Sequence, residues 1–117
     1  SYETMYKTLV TVGKSKAYYV FVIPIAEEID FKKAAKSVGE KSLEMLPLKE
    51  LTAVTGYVRG GCTSIGMKKK FKTIIQEDAQ NLDKIIVSGG KIGLQLILFP
   101  EDLKRAADAE YADTIHR

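Results

Sequence analysis

The sequence predicts an α/β domain with a single mixed sheet of about six strands flanked by helices. Three observations carry that expectation. Runs rich in Val, Ile, Tyr and Phe recur along the chain at strand length. The stretches between them begin on Asp or Pro and end on Gly, as helices do. The chain has 117 residues, 45% of them hydrophobic, which suits one compact core and argues against disorder.

The elements follow in order. KTLVTV (7–12) has the β-branched content of a strand, and GKSK (13–16) reads as a turn with Gly13 at its positive-φ position. AYYVFVIPI (17–25) is a second, well-buried strand, so 7–25 is expected to be a hairpin. Pro24 removes a ladder donor, which places it near that strand's end or at an edge. Asp30 is the expected N-cap of a helix over FKKAAKSV, closed by Gly39. SLEML (42–46) is a brief strand. Pro47 fits the first turn of a second helix, LKELTAVTG, stopped at Gly56. FKTIIQ (71–76) is a strand, and QEDAQNLD is a turn or short helix. KIIVS (84–88) and LQLILF (94–99) are strands joined through SGGKIG (88–93). Pro100 opens a last helix through EDLKRAADAEYADTI, with Leu103, Ala106, Ala107, Tyr111 and Ile115 as its apolar stripe.

Composition excludes several classes. No apolar run approaches the ~20 residues of a membrane helix, so no membrane partner is expected. One cysteine cannot form an internal disulfide, and one histidine cannot build a structural zinc site, which favours the cytoplasm. Net charge is a mild +3, but residues 59–72 hold five cations and no acid. Such a patch attracts polyanions, although lysines on a solvated face need no partner.

The segment VRGGCTSIGMKKK (58–70) raises the question of a phosphate loop. A Walker A loop is G-x-x-x-x-G-K-[ST] between a strand and a helix. Counted from Gly61, Met67 stands where the lysine must be and Lys68 where the hydroxyl must be, and the flanking elements come in the wrong order. The loop is not a Walker A. Cys62 lacks a base, because the single histidine, His116, belongs to an expected frayed tail. Glu27–Glu28 and Glu77–Asp78 are adjacent pairs whose side chains diverge, so neither is an acid/base dyad. Lys7 differs: alternation places it on one strand face with Leu9 and Thr11, where it either snorkels at the sheet end or points into a site. The glycines after KIIVS let backbone amides approach a ligand or simply turn the chain.

Five stretches together resemble the YbaK-like family of free-standing aminoacyl-tRNA deacylases, which is related to the editing domain of prolyl-tRNA synthetase. They are YKTLV (6–10), DFKKAAKSVGEK (30–41), TGYVRGGCTSIGMKK (55–69), IIVSGGKIGLQL (85–96) and DLKRAADAEYADT (102–114), in the family's order and spacing. The resemblance implies that fold, over one domain at 1–117, and hydrolysis of an amino acid wrongly attached to tRNA. It implies that Lys7 and Gly60 are catalytic. It implies substrate binding by Thr8, Gly61, Thr63, Ser88, Gly89, Gly90 and Gln95, and tRNA binding by Arg59, Lys68, Lys69 and Lys70. No cofactor or metal is implied, and prolyl-tRNA synthetase is an implied partner. The SGG and GMKK runs make the chain more similar to the type that removes cysteine from tRNA(Pro). In that type the substrate's own thiol attacks its carbonyl, which would explain a site without histidine, acid dyad or metal.

Three departures qualify the match. The family loop reads G-G-x-S-P-x-G, whereas here Thr63 replaces the serine and Ser64 the proline. Gln95 stands where many relatives have an acid. Relatives also carry a helix-and-strand segment before the lysine strand that is expected to be missing here. A module of this fold that binds tRNA or a nucleotide without turnover is the alternative.

Overall fold

The computed structural model describes residues 4–46, 71–88 and 95–116. The expected helix after Pro47 and the loop 58–70 lie outside these residues. Seven strands and two α-helices occur within them: β1 (Tyr6–Gly13), β2 (Tyr18–Pro24), α1 (Phe31–Val38), β3 (Leu43–Met45), β4 (Lys72–Gln76), β5 (Ile85–Ser88), β6 (Gln95–Leu98), α2 (Pro100–Ala107) and β7 (Glu110–Ala112). A 3-10 turn, Glu77–Asn81, follows β4.

The strands form two sheets rather than one. The larger is mixed, in the order β3-β1-β2-β4-β7, and β5-β6 is a separate antiparallel hairpin. The predicted hairpin is present: β1 and β2 pair antiparallel from Tyr6–Pro24 to Val12–Tyr18. Pro24 falls at the strand end, where its missing N–H costs nothing. β2 and β4 are parallel, and so are β4 and β7. Central position explains the composition of β2 and β4: Val20, Phe21, Val22, Ile23, Ile74 and Ile75 are all buried, because both faces of the sheet are covered.

One face carries α1. Phe21, Ile23, Ile74, Leu43 and Ile115 pack there on Ala34 and Ala35, with Leu9 and Tyr19 alongside. The other face carries the hairpin, α2 and the 3-10 turn, and Tyr6, Val22 and Ile75 meet Ile85, Val87 and Leu103. Helix α1 is delimited as expected. Asp30 Oδ1 accepts from the backbone N–H groups of Lys32 (3.0 Å) and Lys33 (3.1 Å), and Gly39 closes the helix at φ 75°.

Three expectations need correction. The last helix stops at Ala107, because Asp108 turns left-handed (φ 52°), and residues 110–112 instead add β7 beside β4. Ala106 is accordingly exposed, and Tyr111 and Ile115 pack from outside the helix. In the β1–β2 turn the positive φ belongs to Lys16 (77°). Gly13 is needed for space instead, since a Cβ there would fall on the Glu40 carboxylate. That carboxylate accepts from the Ser15 hydroxyl, the Ser15 N–H and the Tyr19 hydroxyl, clamping the turn to the end of α1. Finally, His116 is not frayed. Its N–H donates to Glu28 O (3.0 Å) and Nδ1 lies 3.5 Å from Asp30.

A buried amide ties the second half together. Gln76 is fully buried. Its Nε2 donates to Asp78 Oδ1 (2.7 Å) and Asp113 Oδ1 (3.0 Å), and its Oε1 accepts from the N–H (2.6 Å) and the hydroxyl (3.0 Å) of Thr114. All four of its hydrogen-bonding positions are filled. Asp113 in turn accepts from Lys33 Nζ (2.8 Å), which also donates to Ile115 O (2.9 Å), so the network reaches α1.

Gln76→Leu should keep the volume but strand two donors of Thr114 and take one donor from each of the Asp78 and Asp113 carboxylates. The expected loss is about 2–4 kcal/mol in urea unfolding. The hydrogen bonds from Ser15 and Tyr19 hold the Glu40 carboxyl below its ordinary value near 4.5. A depressed folded value means that the stability it contributes is complete above that ordinary value and is lost as pH falls through the folded one. Melting temperature should therefore decline below about pH 4.5, and Glu40→Gln should flatten that limb of the profile.

Candidate functional site

Strand β1 organises the site because it is bordered on both sides. β2 runs along one edge for the whole strand. On the other edge β3 covers Thr11–Gly13, while at the start Met5 makes a parallel bridge to Ile86 of the hairpin. Met5 O also accepts from Ile25 N–H (2.8 Å), which fixes the entry to β1 from a second side.

That bridge sets a register. Lys7 and Ser88 each lie two residues beyond it on strands leading away in the same direction. Ser88 is the cross-strand partner of Gln95 in β5–β6. The backbone positions of Lys7, Ser88 and Gln95 thus gather at one corner, where the larger sheet meets the hairpin. Lys7 is partly buried, opposite the fully buried Ile23. Leu9 and Thr11 share its face as expected: Leu9 joins the α1-side cluster, and the buried Thr11 donates its hydroxyl to Tyr19 O (3.1 Å).

Thr8 takes the other face. Successive residues of a strand alternate, so Thr8 points away from Lys7, opposite Val22 on the hairpin side. Its Oγ1 is buried and has no hydrogen-bond partner among the described residues. Nearby on that side, burial and then the Asp78 carboxylate push the Tyr6 phenol up to about 12. Burial first, and then Glu101, which accepts the Tyr111 hydroxyl at 2.7 Å, raise Tyr111 as well. These phenols are neutral packing groups, not bases.

Arg59, Gly60, Gly61, Thr63, Lys68, Lys69, Lys70, Gly89 and Gly90 lie outside the described residues, as do Cys62 and Ser64. Sequence reasoning missed Met5 and Ile86, whose bridge sets the corner. No local signal marks them, because the bridge joins residues far apart in the chain. Among the described residues no group of three or more His, Cys, Asp or Glu could hold a metal ion. No helix among them is long and apolar enough to cross a membrane.

Residues 1–106 match the family model described as the aminoacyl-tRNA editing domain. The chain belongs to that family. An Enterococcus faecalis member, provisionally named Cys-tRNA(Pro)/Cys-tRNA(Cys) deacylase EbsC, is 50% identical over 109 residues, which cover 93% of this chain and 66% of the relative. The chain thus spans about two thirds of the length of that curated relative. Among solved structures, a scaffold protein used for computational epitope grafting superposes on all of this chain and 74% of its own, with a TM-score of 0.91 and 24% identity. A second, described as a candidate trans-editing enzyme for prolyl-tRNA synthetase, gives 0.88 over all of this chain and 73% of its own, also at 24% identity. At that identity these two establish the editing-domain fold alone, a single domain built on the mixed sheet.

Thr8→Val should remove a buried hydroxyl that is unmatched among the described residues, without changing shape. Stability should hold or rise by about 1 kcal/mol in chemical denaturation, whereas a structural hydroxyl would cost a similar amount.

Proposed function

We propose that this editing domain is an aminoacyl-tRNA deacylase acting in trans, with Cys-tRNA(Pro) as its preferred substrate. The observation that carries the reading is the corner itself. In a chain of this family, a single bridge delivers the one lysine of β1 beside the Ser88–Gln95 pair. The name of the Enterococcus relative supports the choice of cysteine and of tRNA(Pro).

The chemistry asks little of the protein. An aminoacyl ester is labile, so position and charge suffice where a strong nucleophile would otherwise be needed. Lys7 is held on a strand paired with β2, two residues from the Met5–Ile86 bridge, and its ammonium offsets the negative charge of the terminal phosphate or of the oxyanion that develops on the carbonyl. Main-chain groups at Gly60 and Gly61 orient the carbonyl and the ribose hydroxyl, and Thr63, Gly89 and Gly90 are further substrate contacts that the family resemblance implies. Gln95 is a substrate contact that carries no charge, where many relatives have an acid. Thr8, on the opposite face of the strand, packs toward the hairpin cluster and supports Lys7 through the backbone rather than through its side chain.

For a cysteinyl ester the nucleophile is the substrate's own sulfur. It bonds to the carbonyl carbon, the ester C–O bond breaks, and the ribose oxygen leaves with the thiol proton. Water then opens the cyclic thioester to free cysteine. Arg59, Lys68, Lys69 and Lys70 hold tRNA phosphates, which makes affinity salt-dependent. The enzyme works in the cytoplasm alongside prolyl-tRNA synthetase, which produces the mischarged substrate.

The test is deacylation of a panel of charged tRNAs. Cys-tRNA(Pro) should be hydrolysed fastest and Ala-tRNA(Pro) much more slowly, because alanine lacks the thiol. Lys7→Ala should lower kcat/KM by about 10²–10³. Salt-sensitive tRNA binding with no release from any substrate would replace this reading with a non-catalytic module.

A further inference from the structure

The hairpin carries an apolar surface that the corner does not explain. Its inner residues, Ile85, Val87, Leu96 and Leu98, pack on the core. On its outer face Ile97 is 67% exposed and Phe99, immediately after β6, is 50% exposed. Ile86, the cross-strand partner of Ile97, lies beside them and is partly buried. Lys84 sets its ammonium 5.6 Å from the centroid of the Phe99 ring, a cation–π contact that orients the ring. Large apolar side chains this open on a two-stranded sheet mark a contact surface.

We propose that this ledge stacks the unpaired 3′-terminal nucleotides of the tRNA. The inference rests on the deacylase reading and adds the place where the bases lie. Three observations favour it. The ledge is continuous with the corner: Ile86–Ile97 is the pair two residues from Ser88–Gln95. It has a fitting length, since the four steps along the chain from Gln95 to Phe99 span ~13 Å, a few nucleotides of single strand. It also has the chemistry for bases, an exposed aromatic face backed by a cation and flanked by aliphatic side chains. A protein partner fits poorly, because one face of so short a hairpin is far below the ~800 Å² per side of a stable interface.

Charge around the ledge points to stacking rather than phosphate binding. Asp83 adjoins Lys84. Of the two acids opening α2, Glu101 accepts the Tyr111 hydroxyl and Asp102 pairs with Arg105. Among the described residues the surroundings are not cationic overall, so the ledge reads base faces and leaves phosphates to other residues.

The experiment is a fluorescence-anisotropy titration of a labelled, uncharged RNA minihelix ending in CCA, at several salt concentrations, together with deacylation kinetics. Phe99→Ala and Ile97→Ser should each weaken minihelix binding by about tenfold, with the salt slope unchanged and Phe99→Tyr restoring affinity. Removing the CCA end from the minihelix should abolish the difference between wild type and Phe99→Ala. In kinetics KM should rise with kcat retained. Unchanged affinity, a reduced salt slope, or a change in the sedimenting species would each overturn the ledge. Circular dichroism and melting confirm that the variants fold, and both residues are exposed enough to be replaced. Binding is read without hydrolysis, so the ledge can stand or fall independently of the deacylase reading.

Discussion

The buried amide of Gln76 is the constraint on which the rest depends. An amide in a dry interior must find partners for two donors and an acceptor, or its burial is unfavourable by several kcal/mol. Here one partner, Asp78, is local, and the others, Asp113 and Thr114, come from the end of the chain. The demand is local, but it can be met in only one global arrangement. β7 must lie parallel to β4, and the segment after it must pass beneath α1, where Lys33 and the Ile29–Ile115 bridge receive it. Once β4 is so fixed, β2 has a parallel neighbour and β1 an antiparallel one. The lysine strand is then placed.

Local signals were legible where local chemistry decides. Asp30 and Gly39 bound α1 because a cap and a left-handed stop are satisfied within a few residues. The β1–β2 hairpin follows from two strand-like runs and a short turn. Lys7 stood out because alternation puts a cation among apolar neighbours, and the structure places its backbone at the Ser88–Gln95 corner. Tertiary terms outvoted local ones elsewhere. EDLKRAADAEYADTI keeps helical spacing to its end, yet β4 offers an open edge and Gln76 an acceptor, and both recruit residues 110–114 away from the helix. Gly13 looked like a backbone requirement, but its constraint is a carboxylate 27 residues away, at Glu40. The division into two sheets was invisible too, because hairpin strands and sheet strands share one period. What sequence alone could not supply was the Met5–Ile86 bridge, which joins residues 81 positions apart.

Function in this fold is divided between what is fixed and what is presented. Strand β1 faces the α1 cluster with Lys7, Leu9 and Thr11, and the hairpin cluster with Tyr6, Thr8 and Val10. Neighbours in sequence therefore serve different layers, and only alternate residues can meet one ligand through their side chains. The YKTLV stretch is in this sense two interleaved messages, one written to the face where Lys7 is proposed to act and one to the core.

Because β1 is paired with β2 from Tyr6 to Val12 and with β3 from Thr11 to Gly13, the amides that face those strands should be among the last in the protein to exchange with solvent deuterium. Such protection belongs to elements that open only when the whole molecule opens. The lysine therefore rides on a part of the protein that does not breathe. Loss of its placement would coincide with global melting rather than precede it, and sub-global opening would leave the corner intact.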